Sequence, residues 1–239
     1  MKVLMIIPAY NEQDSILNTY RSIYEYNKSH TNKKLDVIVI NDGSKDKTED
    51  ILQENGIPHI HLVHNLGIGG AVQTGYKYAF ENGYDIAVQF DGDGQHDVNY
   101  VRNICEPIEE GRADFVVGSR FVEEKDGNFR SSAARRIGIK LISFFIKLTT
   151  GHVVKDTTSG FRAVGKEVIK EFAREYPTEY PEPITTTELL RKGYKMKEVS
   201  VLMHEREAGN SSISSFKSAY YMINVIMNIL LVRMRRYPR

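Results

Sequence analysis

The chain is 239 residues long, with 32 Lys and Arg against 31 Asp and Glu, a formal net charge of +1, and 41% hydrophobic and 26% charged residues. That balance excludes a dedicated nucleic-acid binder, which would carry a broad basic surface, and the composition excludes a disordered or collagen-like chain. The length suits one large α/β domain or two small ones. Its single cysteine, Cys105, allows no intrachain disulfide and no Cys-based zinc cage, so a reducing cytosolic setting and a buried thiol are expected.

Met1-Lys2 runs straight into Val3 to Ile7, an apolar stretch closed by Pro8 and too brief for a signal-peptide core, so a mature N-terminus opening on a strand is expected. Short apolar runs recur at Leu35 to Ile40, His59 to Val63, Ile86 to Phe90 and Phe115 to Val117. Helix-like patterns separate them, which predicts βα units around a mostly parallel, doubly wound sheet. Between the first two runs, Ile16, Tyr20, Ile23, Tyr24 and Asn27 share a helical face, with Asn11 or Asp14 as the cap. In such sheets ligands bind beyond the carboxyl ends of the strands. The first strand ends in Pro8-Ala9-Tyr10-Asn11-Glu12, where Tyr10 offers a flat ring and Glu12 an acceptor. The second ends in Asn41-Asp42-Gly43-Ser44, where Asp42 either accepts from a nucleobase imide N–H or starts an Asx turn.

Gly67-Ile68-Gly69-Gly70 invites comparison with a dinucleotide fingerprint, but that motif needs glycine where Val72 stands, and the first βα turn lacks its glycines. These glycines are read instead as a tight entry to a helix beginning near Ala71. The fourth run delivers Asp91, and the glycines of Gln89-Phe90-Asp91-Gly92-Asp93-Gly94-Gln95-His96 let Asp91, Asp93 and Gln95 converge. Clustered oxygen ligands suit Mg²⁺ or Mn²⁺ with positions left open for phosphate oxygens, the alternative being a carboxylate-rich turn without metal. An EF-hand is excluded, because the glutamate it needs at its twelfth position is Arg102 here.

From Arg120 to Ala134 the chain is loop-rich. Arg136, Lys140, Ser143 and Lys147 then form one polar stripe, with Ile137, Leu141, Phe144, Phe145 and Leu148 over the rest, so this helix is either core or a membrane-interface helix. Tyr220 to Val232 is the most apolar segment, followed by Arg233, Arg235, Arg236 and Arg239. A spanning helix needs about 20 apolar residues, and this run is shorter and carries Asn224 and Asn228. It reads as an amphipathic surface anchor on an anionic cytoplasmic leaflet, or as a helix docked on its own domain or on a partner.

Taken in order, Pro8-Ala9-Tyr10-Asn11-Glu12, Asn41-Asp42-Gly43-Ser44, Asn65-Leu66-Gly67-Ile68-Gly69-Gly70-Ala71, Asp91-Gly92-Asp93 and Gly118-Ser119-Arg120 resemble the family 2 glycosyltransferases of GT-A fold. The likeness is strongest to the branch that makes polyprenyl-phosphate sugars, which includes dolichyl-phosphate mannose synthases. It implies a GT-A catalytic domain over 1–215, followed by an apolar, basic, membrane-associated helix over 216–239. It further implies a nucleotide-sugar site at Pro8, Tyr10, Glu12, Asp42, Gln89, Asp91, Gly92 and Arg206, and Mn²⁺ or Mg²⁺ held by Asp91, Asp93 and Gln95. Catalytic roles fall to Asp91 and Asp93, and to Arg120 and Arg135 as holders of the acceptor phosphate; Arg130 and Arg136 read as solvated charges. Asp156-Thr157-Thr158-Ser159-Gly160-Phe161-Arg162 and Arg206-Glu207-Ala208-Gly209-Asn210-Ser211-Ser212 also look like family segments. Within them Asp156 reads as loop-ordering, while Ser212 stands near where many relatives have a lysine.

The acceptor is chosen on chemical grounds. A sugar hydroxyl needs a general base, for which polysaccharide-forming members of the family carry a Glu-Asp pair and, if processive, a motif containing tryptophan. Here Thr186-Thr187-Glu188-Leu189 lacks the second carboxylate, and the chain has no tryptophan. Glu188 is left either to orient acceptor or sugar or to serve a helix start. A phosphate monoester, with a second pKa near 6, is already an anionic nucleophile at neutral pH and needs cations instead of a base. The expectation is therefore an inverting transferase that moves a sugar from a UDP- or GDP-linked donor to a polyprenyl phosphate. It would be peripheral on the cytoplasmic membrane face, with a small integral-membrane partner completing the anchor. Transfer to a saccharide hydroxyl and a non-catalytic GT-A scaffold are the rival expectations.

Overall fold

A computed structural model describes residues 1–31, 34–122, 133–204 and 215–235, with the side chains of 133–135 and 215–219 left out. Seven strands form one sheet: β1 (Val3–Ala9), β2 (Leu35–Asn41), β3 (His59–His61), β4 (Ile86–Gln89), β5 (Phe115–Ser119), β6 (Arg162–Gly165) and β7 (Met196–Ser200). Their order is β3-β2-β1-β4-β6-β5-β7. All pairings are parallel except those of β6, which runs antiparallel to both β4 and β5. All five expected strands are present, differing only at their ends; β6 and β7 were not foreseen.

Helices cover both faces, which is why β1 is buried along its whole length and reads as a continuous apolar run. Val3, Met5 and Ile7 point into one core with Ile16 and Ile23 of α1 (Ile16–Ser29), Leu52 of α2 (Thr48–Glu54) and Ile104 of α4 (Val101–Glu109). Leu4 and Ile6 point into the other. There they meet Val72 and Tyr76 of α3 (Gly67–Glu81), Ile142 and Ile146 of α5 (Ala133–Thr150), and Ile169 of α6 (Lys166–Arg174). Leu189 of α7 (Pro181–Arg191) and Val225 and Ile229 of α8 (Ser215–Met234) complete this second core. Cys105 is buried in α4.

Three local expectations are corrected. α1 is preceded by Ser15, not capped by Asn11 or Asp14. Asn11 is occupied elsewhere: its N–H donates to Ser44 Oγ at 3.0 Å and its Oδ1 accepts from the Lys45 N–H at 2.8 Å. The buried face of α1 is Ile16, Thr19, Ile23 and Tyr26, so Tyr24 faces out, beneath the Lys28 ammonium. The third helix begins at Gly67, ahead of Ala71. A Cβ at Gly69 would lie 2.0 Å from the Pro177 carbonyl oxygen, so glycine there lets α3 pack directly on the segment leading into α7.

α5 answers the core-or-interface alternative by burying a different row. Ile139, Ile142, Ile146 and Thr149 face inward, while Ile137, Leu141, Phe144 and Leu148, spaced i, i+4, i+7, i+11, stay exposed. Phe144 is 59% exposed. α8 packs against α5 and α7 and repeats the pattern: Val225, Ile229 and Val232 are buried, and Tyr220, Ile223, Met227, Leu231 and Met234 are exposed. Among its described side chains, therefore, α8 is apolar on inner and outer sides alike, with charge only at Arg233, and Arg235 follows just past its end. No helix among the described residues is long and apolar enough to cross a membrane.

Candidate active site

The carboxyl ends of β1, β2 and β4 open into one cavity of about 470 Å³. It is lined by Pro8, Tyr10, Glu12, Asp42, Gln89, Asp91, Gly92 and Asp93, together with Gly67, Ile68, Thr158, Gly160 and Glu182. Parallel strands deliver these groups to the same edge because ladder register aligns their ends, Ala9 opposite Asn41 and Ile6 opposite Gln89.

The loops at that edge are laced together by side chains bonding to backbone. The Glu12 N–H donates to Thr48 Oγ1 at 2.9 Å, and Ser15 Oγ donates to Glu12 Oε2 at 2.7 Å. Asp42 starts no Asx turn; the loop is tied instead by Asn41, whose Oδ1 accepts the N–H of Ser44, three residues on, at 3.1 Å. Asp42 Oδ1 accepts the Leu66 N–H at 2.7 Å, tying the β2 end to the start of α3. Burial raises the Asp42 pKa, opposed by hydrogen bonds from the Leu66 and Gly67 amides. Tyr10 is an exposed ring on the rim.

Asp91 and Asp93 meet at the cavity. Asp93 is buried and its Oδ1 accepts the Gln95 N–H at 3.0 Å. Gln95 is held through its backbone, with its carbonyl accepting the His204 N–H at 2.9 Å, and is not among the cavity-lining residues. Two residues that sequence reasoning passed over fix this turn. Thr19 of α1 donates its hydroxyl to the Gly92 carbonyl at 3.1 Å. Buried His96 accepts the Asp91 N–H on Nδ1 at 3.0 Å, which puts its proton on Nε2, 3.4 Å from Asp91 Oδ2. Burial holds the His96 pKa down at about 4, opposed by Asp93, and the ring stacks on Phe161 at 4.8 Å. From the far side Gly160 closes in: a Cβ there would sit 2.9 Å from Asp91 Oδ2 and 3.2 Å from Gln89 Nε2.

The donor set fits a hard divalent cation. Of the five carboxylates that line the cavity, Glu12, Asp42, Asp91, Asp93 and Glu182, Asp91 and Asp93 flank Gly92 on one turn, and no three or more His, Cys, Asp or Glu gather closely enough to hold a metal by themselves among the described residues. That is the arrangement for a metal whose remaining positions are filled by phosphate oxygens.

Arg120 does not point into bulk solvent. Its Nε and Nη2 form a fork on Asp156 Oδ2 and Oδ1, both at 2.7 Å, and Nη2 also donates to Thr158 Oγ1 at 3.1 Å. Asp156 is fully buried, and its own N–H is held by Glu198 at 2.8 Å. The loop-ordering expectation for Asp156 thus takes the form of a buried ion pair. Arg135 lies in the first turn of α5, and its side chain is outside the described residues, as are Arg130, Arg206 and Ser212.

Glu188 is neither at a helix start nor in the cavity. It lies late in α7, where its Oε1 accepts from Arg235 Nη1 at 2.5 Å. The α7 carboxylate at the cavity is Glu182, on the first turn of the helix. The signal available for it was Pro181-Glu182-Pro183, since proline favours a helix's first turn and so places the glutamate at its tip.

A seven-stranded, mostly parallel α/β sheet with a paired-carboxylate cavity at its carboxyl edge defines the class: a nucleotide-sugar-type transferase fold. The chain belongs to glycosyl transferase family 2, whose family model it matches over residues 5–172, and it is a glycosyltransferase. It is 30% identical to the UDP-N-acetylglucosamine–dolichyl-phosphate N-acetylglucosaminyltransferase of Methanococcus voltae, over 96% of this chain and 98% of the relative. It is 29% identical to the undecaprenyl-phosphate mannosyltransferase of Micrococcus luteus, over 94% and 93%. In fold it is similar to glucosyl-3-phosphoglycerate synthase from Mycobacterium tuberculosis, solved with Mn²⁺, UDP-glucose and phosphoglyceric acid. That match has a TM-score of 0.71 at 17% identity and covers 99% of this chain and 81% of the other.

Proposed function

We propose that the chain transfers a sugar from a nucleoside-diphosphate sugar to a polyprenyl phosphate at the cytoplasmic membrane surface, with inversion at the anomeric carbon. Pro8, Tyr10, Glu12 and Asp42 take the nucleoside, while Gln89, Gly92 and Arg206 take the sugar diphosphate. Asp91 and Asp93, which line the cavity, would hold Mn²⁺ or Mg²⁺, with Gln95 reaching it only if its side chain turns in from outside the present lining; the metal would offset negative charge on the departing diphosphate. His96 and Thr19 keep the Asp91–Asp93 turn in place for that task. Arg120, braced by Asp156, and Arg135 in the first turn of α5 orient the acceptor phosphate, whose oxygen attacks the face opposite the leaving group. No proton acceptor is required, because the nucleophile is already anionic.

The observation that carries the acceptor choice is the pair of exposed apolar rows on adjoining helices α5 and α8. Arg136, Lys140 and Lys147 are exposed on the first and Arg233 on the second, with Arg235, paired to Glu188, just past its end. Apolar side chains flanked by cations suit the boundary between acyl chains and anionic head groups. The same face would seat a small integral-membrane partner. The relatives named for dolichyl and undecaprenyl phosphates align over 96% and 94% of this chain.

A thermal-shift panel of UDP- and GDP-sugars with Mn²⁺ or Mg²⁺, paired with sedimentation on vesicles containing anionic lipid, tests this reading. A ligand selective for the folded state raises the melting temperature. The expected result is a metal-dependent rise with one nucleotide family and co-sedimentation that weakens with salt. Absence of any nucleotide-sugar effect contradicts the donor assignment, and protein remaining in the supernatant contradicts the membrane assignment.

A further inference from the structure

Around Gln89, at the back of the cavity, lie the polar residues Arg162 and Tyr76, both buried, and Glu182, to which the roles above give no purpose. Gln89 ends β4 and stands directly opposite Arg162 in the antiparallel β4–β6 pair, which puts the two side chains on the same face of the sheet. Arg162 is buried; its Nε donates to the Ser159 carbonyl at 2.8 Å and its Nη1 to Thr185 Oγ1 at 3.2 Å, but its Nη2 has no partner among the described residues. Gln89 Oε1 and Tyr76 Oη are likewise buried without partners among the described residues. Gln89 Nε2 reaches Glu182 Oε1 at a long 3.4 Å. Buried polar atoms are nearly always satisfied, so several orphans around one carboxyl mark a place that polar groups from a ligand or water complete.

Of this set, Glu182 and Gln89 line the cavity and Arg162 backs them. α7 brings Glu182 there by starting abruptly: Tyr180 takes a left-handed conformation (φ 51) and Pro181 opens the first turn. Burial raises the Glu182 carboxyl above its usual range, opposed by Arg162, with Asp91 adding to the rise. That suits a hydrogen-bonding partner of neutral hydroxyls better than a metal ligand. The nucleoside falls to Pro8, Tyr10 and Asp42, and the diphosphate to Asp91 and Asp93. The portion of a donor still unmatched is its sugar ring, whose hydroxyls both donate and accept.

We propose that Glu182, positioned by Gln89 and Arg162, hydrogen-bonds the sugar hydroxyls of the donor and is the residue that determines which sugar is accepted. This rests on the donor reading of the same cavity. A site built to hydrogen-bond a hydroxyl discriminates strongly against a sugar that lacks it, because its own buried groups are then left unsatisfied.

Calorimetry with Mn²⁺ on the full chain tests this, using UDP, UDP-glucose, UDP-N-acetylglucosamine, GDP and GDP-mannose as probes on wild type and Glu182→Gln. The expected result is that Glu182→Gln binds the free nucleoside diphosphate as wild type does, yet loses about tenfold or more in affinity for the sugar-bearing form. Deoxy analogues of the preferred sugar should then separate the two proteins less than the parent does. Equal loss for the free and sugar-bearing forms, or no loss for either, overturns the proposal. So does a pH–rate profile in which Glu182→Gln abolishes an acid limb without changing sugar affinity, since that identifies a proton acceptor. If wild type binds none of the five probes, the donor reading itself fails and this inference with it.

Discussion

Asp93, Gly160 and Asp156 each test one contact at the site. Asp93→Ala removes one carboxylate of the pair and the bond to the Gln95 amide, a loss of about 1 kcal/mol of stability. It should fold with a melting temperature near that of wild type yet lose metal-dependent turnover of the donor; retained activity would contradict the metal assignment. Gly160→Ala pushes a methyl against the Asp91 carboxylate, 2.9 Å away. Displacement of a group at the reacting centre by a fraction of an ångström to an ångström can cost about a hundredfold, so activity and Mn²⁺ affinity should fall together while the fold persists. Asp156→Ala strips buried Arg120 of its carboxylate fork, and breaking a buried pair in this way costs about 3–5 kcal/mol. Urea unfolding should show that loss, whereas Asp156→Asn, which can still accept from Nε, should lose less. At this scale the sequence was legible where chemistry forces residue type: Asp91, Asp93, Asp42 and Tyr10 all line the cavity. It was illegible where the partner is distant along the chain. Nothing local marks Asp156 as the partner of Arg120, and Glu182 enters the cavity only because α7 starts there.

Among elements, α5 and α8 separate burial that stabilises from exposure that docks. Ile229 is fully buried in the second core, so Ile229→Ala should cost about 2–5 kcal/mol in unfolding free energy. Phe144 and Leu148 face outward. Phe144→Ser with Leu148→Ser should leave stability nearly unchanged and abolish sedimentation with anionic vesicles; undiminished sedimentation would remove α5 from the membrane-facing surface. Strands β1, β4 and β5 were readable because each is a short apolar run buried along its length, and β2 because most of it is; β3, His59–His61 at the sheet's edge, is only partly buried and was marked by the apolar residues around it. β6 and β7 were not, because Arg162-Ala163-Val164-Gly165 hides a buried arginine among its strand residues and Met196–Ser200 alternates charge at the sheet's edge. The α1 cap was misread for a similar reason: Asn11 has the right chemistry for capping, but the neighbouring β2–α2 loop uses it.

For the molecule as a whole, acid should loosen the loops that carry Asp42. Burial pushes Glu49 up, but hydrogen bonds from Asn41, Gln53, His61 and His59 outweigh it and hold its pKa at about 2. The group is thus more acidic folded than unfolded, so its stabilisation is present above the ordinary glutamate range and is lost as pH falls from there through about 2. Glu49→Gln should be less stable than wild type at pH 7 and converge with it as acid is added; a pH-independent gap would contradict the network. The overall architecture, a doubly wound sheet with ligand groups at its carboxyl edge, followed from strand spacing and strand-end chemistry. The orientation of that edge relative to α5 and α8 did not, since it depends on which helical rows the tertiary packing covers. The central claim concerns the acceptor, and sugar transfer measured side by side to undecaprenyl phosphate, to undecaprenol and to soluble saccharides tests it most directly. With Mn²⁺ and a labelled nucleotide sugar in vesicles, label should enter only the phosphorylated lipid, whereas equal or greater transfer to a free hydroxyl would contradict the account.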